Sequence, residues 1–460
     1  MIINTSNKIV ILGLLGIVLV SFSIIGYFSL YFLSETLCTD RADDYEEVQL
    51  SAIDNHDNII LYGITISIDF PFTINLTKTY SKDPVIFLMK YSSSGELIWS
   101  IKYQINSANK LSSLVIDKND NIFISGIYYN DELNEYVYFI SKFSHFGELM
   151  FEQTINKISY FDKTTVLVSN DNEIYIFGKV RDPFEFVNGY NSMTFDEHLF
   201  LTKIGNSGEK LWTQSFIPSK IEFITLDNEN NVIFTSYETD PNPDQNLHFY
   251  LYLSKVGSNG TFLWQQYINE VGIDRHSEIT IDSTNSIILT GLTLSTNYTL
   301  IDNTKLNSMT EYGEIYVTKL TTDGLKIWDK ILPFKNNYQK ELPFISLIGN
   351  STIDIKGAFV NYYLENGPTM YALEIHSNGT LLTDISEITH SPRTITINSI
   401  QTNQNKSYYV LGTADEPSNV LSGTLKGTKD VLLFKFNSDN EFLWGVYIGG
   451  AGKLTKSCPY

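Results

Sequence analysis

Lys90-Tyr-Ser-Ser-Ser-Gly95-Glu-Leu-Ile-Trp99 is one copy of a phrase that the 460-residue chain repeats seven times. Its sharpest recurrences run from Lys203 through Gly208 to Trp212, from Lys255 through Gly260 to Trp264, and from Lys319 through Gly324 to Trp328. Phe151 takes the Trp place after Lys142 and Gly147. One eroded copy reads Glu374, Gly379, Thr383, and the last keeps Lys435 and Trp444 with Asn440 in the Gly place. A repeat recurring every 52 to 64 residues implies stacked supersecondary units, each burying its apolar face only against its neighbours.

The residues around the phrase read as strands. Val48–Ile53 alternates apolar and polar side chains, the turn Asp54-Asn-His-Asp-Asn58 follows, and Ile59–Gly63, Val85–Tyr91 and Leu97–Tyr103 complete a unit of four. Second strands recur at 122–126, 174–178, 232–236, 287–291, 353–357 and 408–412. The pattern predicts an all-β fold, a seven-bladed β-propeller of four-stranded antiparallel blades over residues 47–452 with a tail at 453–460. Gly291-Leu-Thr after Asp282-Ser-Thr-Asn-Ser-Ile, Lys429-Asp-Val-Leu-Leu-Phe-Lys435 and Tyr447-Ile-Gly-Gly-Ala-Gly452 resemble the SBBP-type β-propeller repeat of extracellular bacterial and archaeal proteins. The Gly-x-x-x-Trp element is similar to PQQ-type propeller repeats. The resemblance implies a fold and carries over no catalytic residue.

Composition narrows the partners. Net charge is −20 and the arginines are four, Arg41, Arg181, Arg275 and Arg393, whereas a nucleic-acid backbone needs a clustered basic surface. The expectation is no nucleic acid. Ile9–Ser34 is 26 residues without a charge, and about 20 suffice to span a bilayer as a helix. Residues 1–8 then form a cytoplasmic N-terminus, 9–34 a single transmembrane helix and 35–46 a linker. Lys8 before the helix, with Glu35, Asp40, Asp43 and Asp44 after it, places the propeller outside the plasma membrane. Cys38 and Cys458 flank the repeats; a ring would bring the ends together for a disulfide, the alternatives being free thiols or a link between chains.

Spacing from Lys or its equivalent to the Trp position is nine in every copy, so the turn between strands three and four is uniform. The second loop takes between 16 and 28 residues from the second-strand Gly or Ser to the Lys position. In an antiparallel blade these variable loops share one face, where scaffolds carry function. Their aromatics Phe70, Phe72, Tyr80, Tyr128, Tyr129, Phe184, Phe186, Tyr190, Tyr298, Tyr362 and Tyr363 are the ligand-contact candidates. No cofactor is expected, calcium being the one candidate, with oxygen ligands at Asp54, Asp57, Asp117, Asp120, Asp227 and Glu229 that a tight turn equally explains. Glycosylation sequons stand at Asn75, Asn297, Asn350 and Asn405. Trp99, Trp212, Trp264, Trp328 and Trp444 sit at equivalent positions, which points to packing between blades rather than sugar stacking.

No H-E-x-x-H, C-x-x-C or G-x-S-x-G occurs. The expectation is therefore a non-catalytic, membrane-anchored binding, adhesion or scaffold module that recognises a surface protein or a glycan. The alternatives are a polysaccharide-active hydrolase or lyase, with Asp182, Glu185 and Asp196 as the acidic cluster, and a structural surface-layer component.

Overall fold

The computed structural model describes residues 46–65, 74–75, 85–103, 108–130, 134–158, 165–180, 198–216, 220–239, 249–269, 275–293, 314–332, 339–340, 344–348, 352–360, 369–383, 386–388, 395–414, 430–448 and 456–457. They fall in one compact unit, Tyr45–Tyr460, and form seven antiparallel sheets in sequence order. Blade 1 contains β1 (Glu46–Ile53), β2 (Ile59–Thr65), β4 (Val85–Tyr91) and β5 (Leu97–Tyr103), with β3 (Ile74–Asn75) added in parallel outside β5. Blade 2 is β6 (Ala108–Ile116), β7 (Ile122–Asn130), β8 (Glu135–Phe143) and β9 (Leu149–Ile158). Blade 3 is β10 (Thr165–Val168), β11 (Ile174–Val180), β12 (His198–Ile204) and β13 (Lys210–Phe216). Blade 4 is β14 (Lys220–Leu226), β15 (Val232–Thr239), β16 (Phe249–Val256) and β17 (Phe262–Asn269).

Blade 5 is β18 (Arg275–Ile281), β19 (Ile287–Thr293), β20 (Glu314–Leu320) and β21 (Lys326–Leu332). In blade 6, β22 (Gln339–Lys340) and β23 (Phe344–Ile348) both pair with β24 (Thr352–Val360), followed by β25 (Thr369–His376) and β26 (Ser386–Ile388). Blade 7 is β27 (Ile395–Thr402), β28 (Tyr408–Ala414), β29 (Asp430–Phe436) and β30 (Phe442–Ile448), extended by β31 (Lys456–Ser457). The strands β1, β6, β10, β14, β18, β23 and β27 touch one another in sequence and β27 returns to β1. These first strands are the inner wall of a closed seven-bladed β-propeller. Among the described residues no helix is long and apolar enough to cross a membrane; Ile9–Ser34, Cys38 and Cys458 lie outside them.

The core lies between blades. Val48, Ile59, Leu61, Phe87 and Met89 of blade 1 pack on Tyr409, Leu411, Val431, Leu433 and Trp444 of blade 7. Equivalent aliphatic and aromatic clusters fill the other seams. At four of the seven seams the repeated Lys and Trp converge on one backbone oxygen of the next blade. Lys90 Nζ and Trp99 Nε1 both donate to His145 O, at 3.5 and 3.2 Å, in the third-loop turn of the next blade. Lys203 and Trp212 converge on Ser258 O at 3.0 and 3.2 Å, Lys319 and Trp328 on Ser377 O at 3.2 and 3.0 Å. Lys435 and Trp444 close the ring on Ser93 O at 3.1 and 3.0 Å.

First and third loops have the same backbone, a tight turn ending in a left-handed residue. In four third loops the preceding blade's Trp packs against the turn Gly, at Gly95, Gly260, Gly324 and Gly379, whereas Gly208, which follows the blade with Phe151, meets Gln153 at 3.4 Å. A Cβ on Gly324 (φ +80°) would lie 3.0 Å from Trp264, and one on Gly95 (φ +83°) 3.0 Å from Trp444. First loops place Asp, Asn or Lys there: Asp57, Asp120, Asn172, Asn230, Asn285 and Lys406 all have φ near +60°. Their side chains tie turn to turn across seams, Asp120 Oδ1 accepting from Asn55 N at 2.9 Å and Asn285 Oδ1 from Asn228 N at 2.9 Å.

The two eroded repeats now explain each other. Blade 6 has Thr383 where the Trp belongs, so nothing bulky presses on the third turn of blade 7, and Asn440 takes the Gly place with φ +65°. Glu374 replaces the blade 6 Lys, and it pairs with Lys406 of blade 7 at 2.8 Å while Lys356 pairs with Asp354 one strand inward. Gly324→Asn should therefore destabilise the ring by about 2 kcal/mol or more through the Trp264 clash, whereas Asn440→Gly should shift stability by less than about 1 kcal/mol. Urea unfolding of both variants checks the contrast.

Candidate functional site

The turn carboxylates come first because they are the calcium candidates of the sequence, where a tight turn is the alternative explanation. Asp54 Oδ1 accepts from His56 N and Asn58 N at 2.9 and 2.8 Å, while Oδ2 accepts from Asn58 Nδ2 at 2.9 Å and pairs with Lys90 at 2.7 Å. Asp117 repeats this with Asn119, Asn121 and Lys142. Asp227 repeats it with Glu229 N, Asn231 and Lys255. Asp57 takes Lys435 and Asn403, Asp120 takes Asn55 and His56, and Glu229 takes Asn231. Burial alone would raise the Asp54 carboxyl, yet hydrogen bonds from Lys90 and Asn58 hold it below its usual range. Asp227 is held low in the same way by Lys255 and Asn231. Ligand atoms of Asp54, His56 and Asp120 lie within 4.8 Å of one another, and both carboxylates already accept N–H groups of the protein. These residues build turns and seams.

The inner wall holds a different carboxyl. β18 breaks register between His276 and Glu278, opposite Gly291. The same bulge occurs in β1 between Val48 and Leu50 beside Gly63, in β6 between Leu111 and Ser113 beside Gly126, and in β27 between Ile397 and Ser399 beside Gly412. That shared irregularity is what the recurring second-strand Gly accompanies. The residue after the bulge reaches the next blade's inner strand: Ser113 Oγ accepts from Val166 N at 3.1 Å, and Glu278 Oε2 accepts from Ile345 N. A serine suffices for that hydrogen bond in blade 2, so a carboxyl in blade 5 is surplus to the architecture.

Glu278 is partly buried on β18, one of the inner strands, with its carboxyl against Ile345 N of the next blade. Burial raises its carboxyl to about 8, with the Ile345 N–H pulling the other way. The neighbouring β19 and β23 carry no titratable residue; Arg275 and His276 precede Glu278 on β18, and β14 carries Lys220 and Glu222. A carboxyl perturbed by desolvation on an inner strand is a candidate functional group. Sequence reading missed it because one Glu in a strand has no motif. The one available signal was its difference from Ser113 at the same repeat position.

Of the loop aromatics, Tyr128 and Tyr129 are described, and both continue β7 beyond the expected strand end at Gly126. Tyr128 is buried against Phe139 in the core between blades 1 and 2. Tyr129 is half-buried, stacks edge-on with Tyr136 at 5.0 Å and donates to Asn134 Oδ1 at 2.6 Å. Phe70, Phe72, Tyr80, Phe184, Phe186, Tyr190, Tyr298, Tyr362 and Tyr363, the cluster Asp182, Glu185 and Asp196, and the sequons Asn297 and Asn350 lie outside the described residues. Asn75 falls in β3, and Asn405 is exposed in the first turn of blade 7.

Comparison with protein-family models and with curated proteins yields no match. Solved structures do match the fold. The β-propeller domain of the trilobed protease from Pyrococcus furiosus, described as having an open velcro topology, is 10% identical over 90% of this chain and 97% of that one, at a TM-score of 0.47. Puromycin hydrolase is 8% identical, covering 90% of this chain and 55% of that one at a TM-score of 0.51. Pyrococcus horikoshii acylaminoacyl peptidase is 10% identical, covering 85% and 51% at 0.49. The chain spans about half the length of the latter two. At such identity the likeness defines the class, a seven-bladed β-propeller, and nothing finer. The expectation of a non-catalytic binding or scaffold module is nevertheless corrected: a propeller matched at a TM-score of 0.51 occurs in a hydrolase, so missing sequence motifs were no ground for setting catalysis aside.

Between about pH 4.5 and 8 the folded state holds a proton on Glu278 that the unfolded chain releases, so stability falls as pH rises through that window. Glu278→Gln keeps an oxygen for Ile345 N and cannot ionise. It should be neutral at pH 5 and stabilising by roughly 2–4 kcal/mol at pH 9, read from chemical unfolding at both pH values.

Proposed function

We propose that the chain works as a hydrolytic enzyme, or as the propeller of one, on a glycan substrate that reaches the axis of the ring, with Glu278 as the proton donor. The observation that carries this reading is the raised carboxyl on an inner strand, at a position where an equivalent blade needs only a serine. Glycoside cleavage requires an un-ionised carboxylic acid at neutral pH to protonate the leaving oxygen. The likeness to puromycin hydrolase, the match at a TM-score of 0.51, is consistent with a propeller in a hydrolase.

In this reading the second-loop aromatics supply stacking surfaces for sugar rings, and the cluster Asp182, Glu185 and Asp196 supplies the second carboxylate. The uncharged stretch Ile9–Ser34 anchors the enzyme with its propeller outside the plasma membrane, and the ring is a divergent relative of the SBBP-type repeats quoted above. Release of new reducing ends from an oligosaccharide panel, by the full-length chain between pH 5 and 10, tests the proposal. The wild type should turn over with a rate that declines as pH passes about 8, and Glu278→Gln should lose about 100-fold or more. Absence of turnover on every glycan, or an unchanged rate in Glu278→Gln, overturns it.

A further inference from the structure

Three residues before each repeated Lys, or its Glu374 equivalent, the third strand carries a large side chain that faces the preceding blade. In six blades this side chain is sealed: Phe87, Phe139, Phe200, Tyr316, Tyr371 and Leu432 are each 1% exposed or less. In blade 4 it is Tyr252, which is partly exposed. Tyr267, its cross-strand partner on β17, is 42% exposed. On the facing flank of blade 3, Trp212 is half-buried and Gln214 exposed, and both lean on the Gly260 turn of blade 4. The seam between blades 3 and 4 is therefore open outward at a level where the other six are closed.

The side chains at this opening carry no charge. Tyr252 and Tyr267 form a tilted pair, with centroids 5.7 Å apart and planes at 57°. Ser254 and Gln265 are the next cross-strand pair on the same face. Phe234, beside Ser254 on β15, packs with Tyr175, Phe177 and Leu201 of blade 3, which fixes that face toward blade 3. Ser254 is 1% exposed and its hydroxyl has no hydrogen-bond partner, a condition that costs free energy. The repeat shows what this hydroxyl lacks. Ser141 holds the same place in blade 2, and the Tyr103 hydroxyl of blade 1 meets it at 2.8 Å. Blade 3 has Phe216 at the position of Tyr103, so no phenol is available to Ser254.

We infer that the cleft between blades 3 and 4 binds a neutral oligosaccharide, one of whose hydroxyls takes the place on Ser254 that Tyr103 takes on Ser141. The apolar face of a sugar ring stacks on Tyr267 and Tyr252, and its remaining hydroxyls meet the Gln214 and Gln265 amides, which both donate and accept. Gln265, directly opposite Ser254, is exposed, and an exposed side chain changes rotamer fast enough to uncover the hydroxyl. An apolar ligand would leave Ser254 unmet, and a polyanion would face a chain of net charge −20 with no cation in the cleft to receive it. Glu278 belongs to the seam between blades 5 and 6, so this cleft does not rest on the hydrolytic reading.

Affinity electrophoresis of the full-length chain, in a polyoxyethylene detergent that carries no sugar, through gels containing soluble starch, β-glucan, xylan or mannan tests the inference. The wild type should be retarded by at least one of these polymers, and Tyr267→Ala and Ser254→Ala should each raise its dissociation constant about tenfold or more. Ser254→Ala should melt no lower than the wild type, because it removes a buried hydroxyl that has no partner, so its loss of binding is not a loss of folding. Leu443→Ala, at a comparably exposed site on β30, and Glu278→Gln should be retarded like the wild type. Retardation by none of the four polymers, unchanged retardation of Ser254→Ala or Tyr267→Ala, or an equal loss in Leu443→Ala or Glu278→Gln overturns the inference.

Discussion

One carbonyl oxygen in the third turn of a blade receives both an ammonium and an indole N–H from the blade before it, and the rest of the ring depends on that convergence. Lys435 shows why. Its ammonium is buried at the seam and needs several acceptors; it finds Ser93 O, Asp57 and the Tyr409 hydroxyl, while its charge lies over the Tyr409 ring at 4.8 Å. Most of the repeated lysines likewise join a first-turn carboxylate to the next blade's third turn. The Trp beside it fills the remaining space so closely that a Cβ on the facing turn glycine, Gly95, would lie 3.0 Å from the indole. Charge, hydrogen bonding and volume thus constrain the same few atoms, and the ten-residue phrase is what survives of that constraint in sequence.

Much of the fold was legible for this reason. Lys90, Gly95 and Trp99 recur at constant spacing because each contacts a neighbour of constant shape, and β4 and β5 have the expected bounds, Val85–Tyr91 and Leu97–Tyr103. The departures are also physical. β7 runs on to Asn130 because Tyr128 has a core to enter, which residue-by-residue polarity does not announce. The exchange of Trp for Thr383 and of Gly for Asn440 looks like decay along the chain, and only the spatial order of blades shows the second change permitted by the first. Glu278 was invisible because its character comes from the seam around it.

That seam belongs to a set of bulged inner strands. A bulge turns one strand residue toward the neighbouring blade, where its side chain meets a backbone N–H on the inner edge of that blade's first strand. Ser113 fills this role at no electrostatic cost. Glu278 fills it with a group whose ionisation is penalised, and retaining such a penalty on an inner strand is the main reason to look for chemistry on the axis.

Blades 1 and 7 are each built from contiguous chain, and their seam uses the same lysine, tryptophan, turn carbonyl and interleaved core as the seams inside the ring. The closure is therefore a link like any other, where an exchanged strand would have made it a clasp. Cooperativity in such an object is circular: seven couplings of related but unequal make-up join seven units, and the closing seam is not set apart by its interactions. Breaking any one coupling converts the ring to an arc with two exposed blade flanks, so resistance to opening is set by the weakest seam wherever it lies. Two seams lack the indole link, the one after Phe151 in blade 2 and the one after Thr383 in blade 6, where the Glu374–Lys406 pair stands in its place.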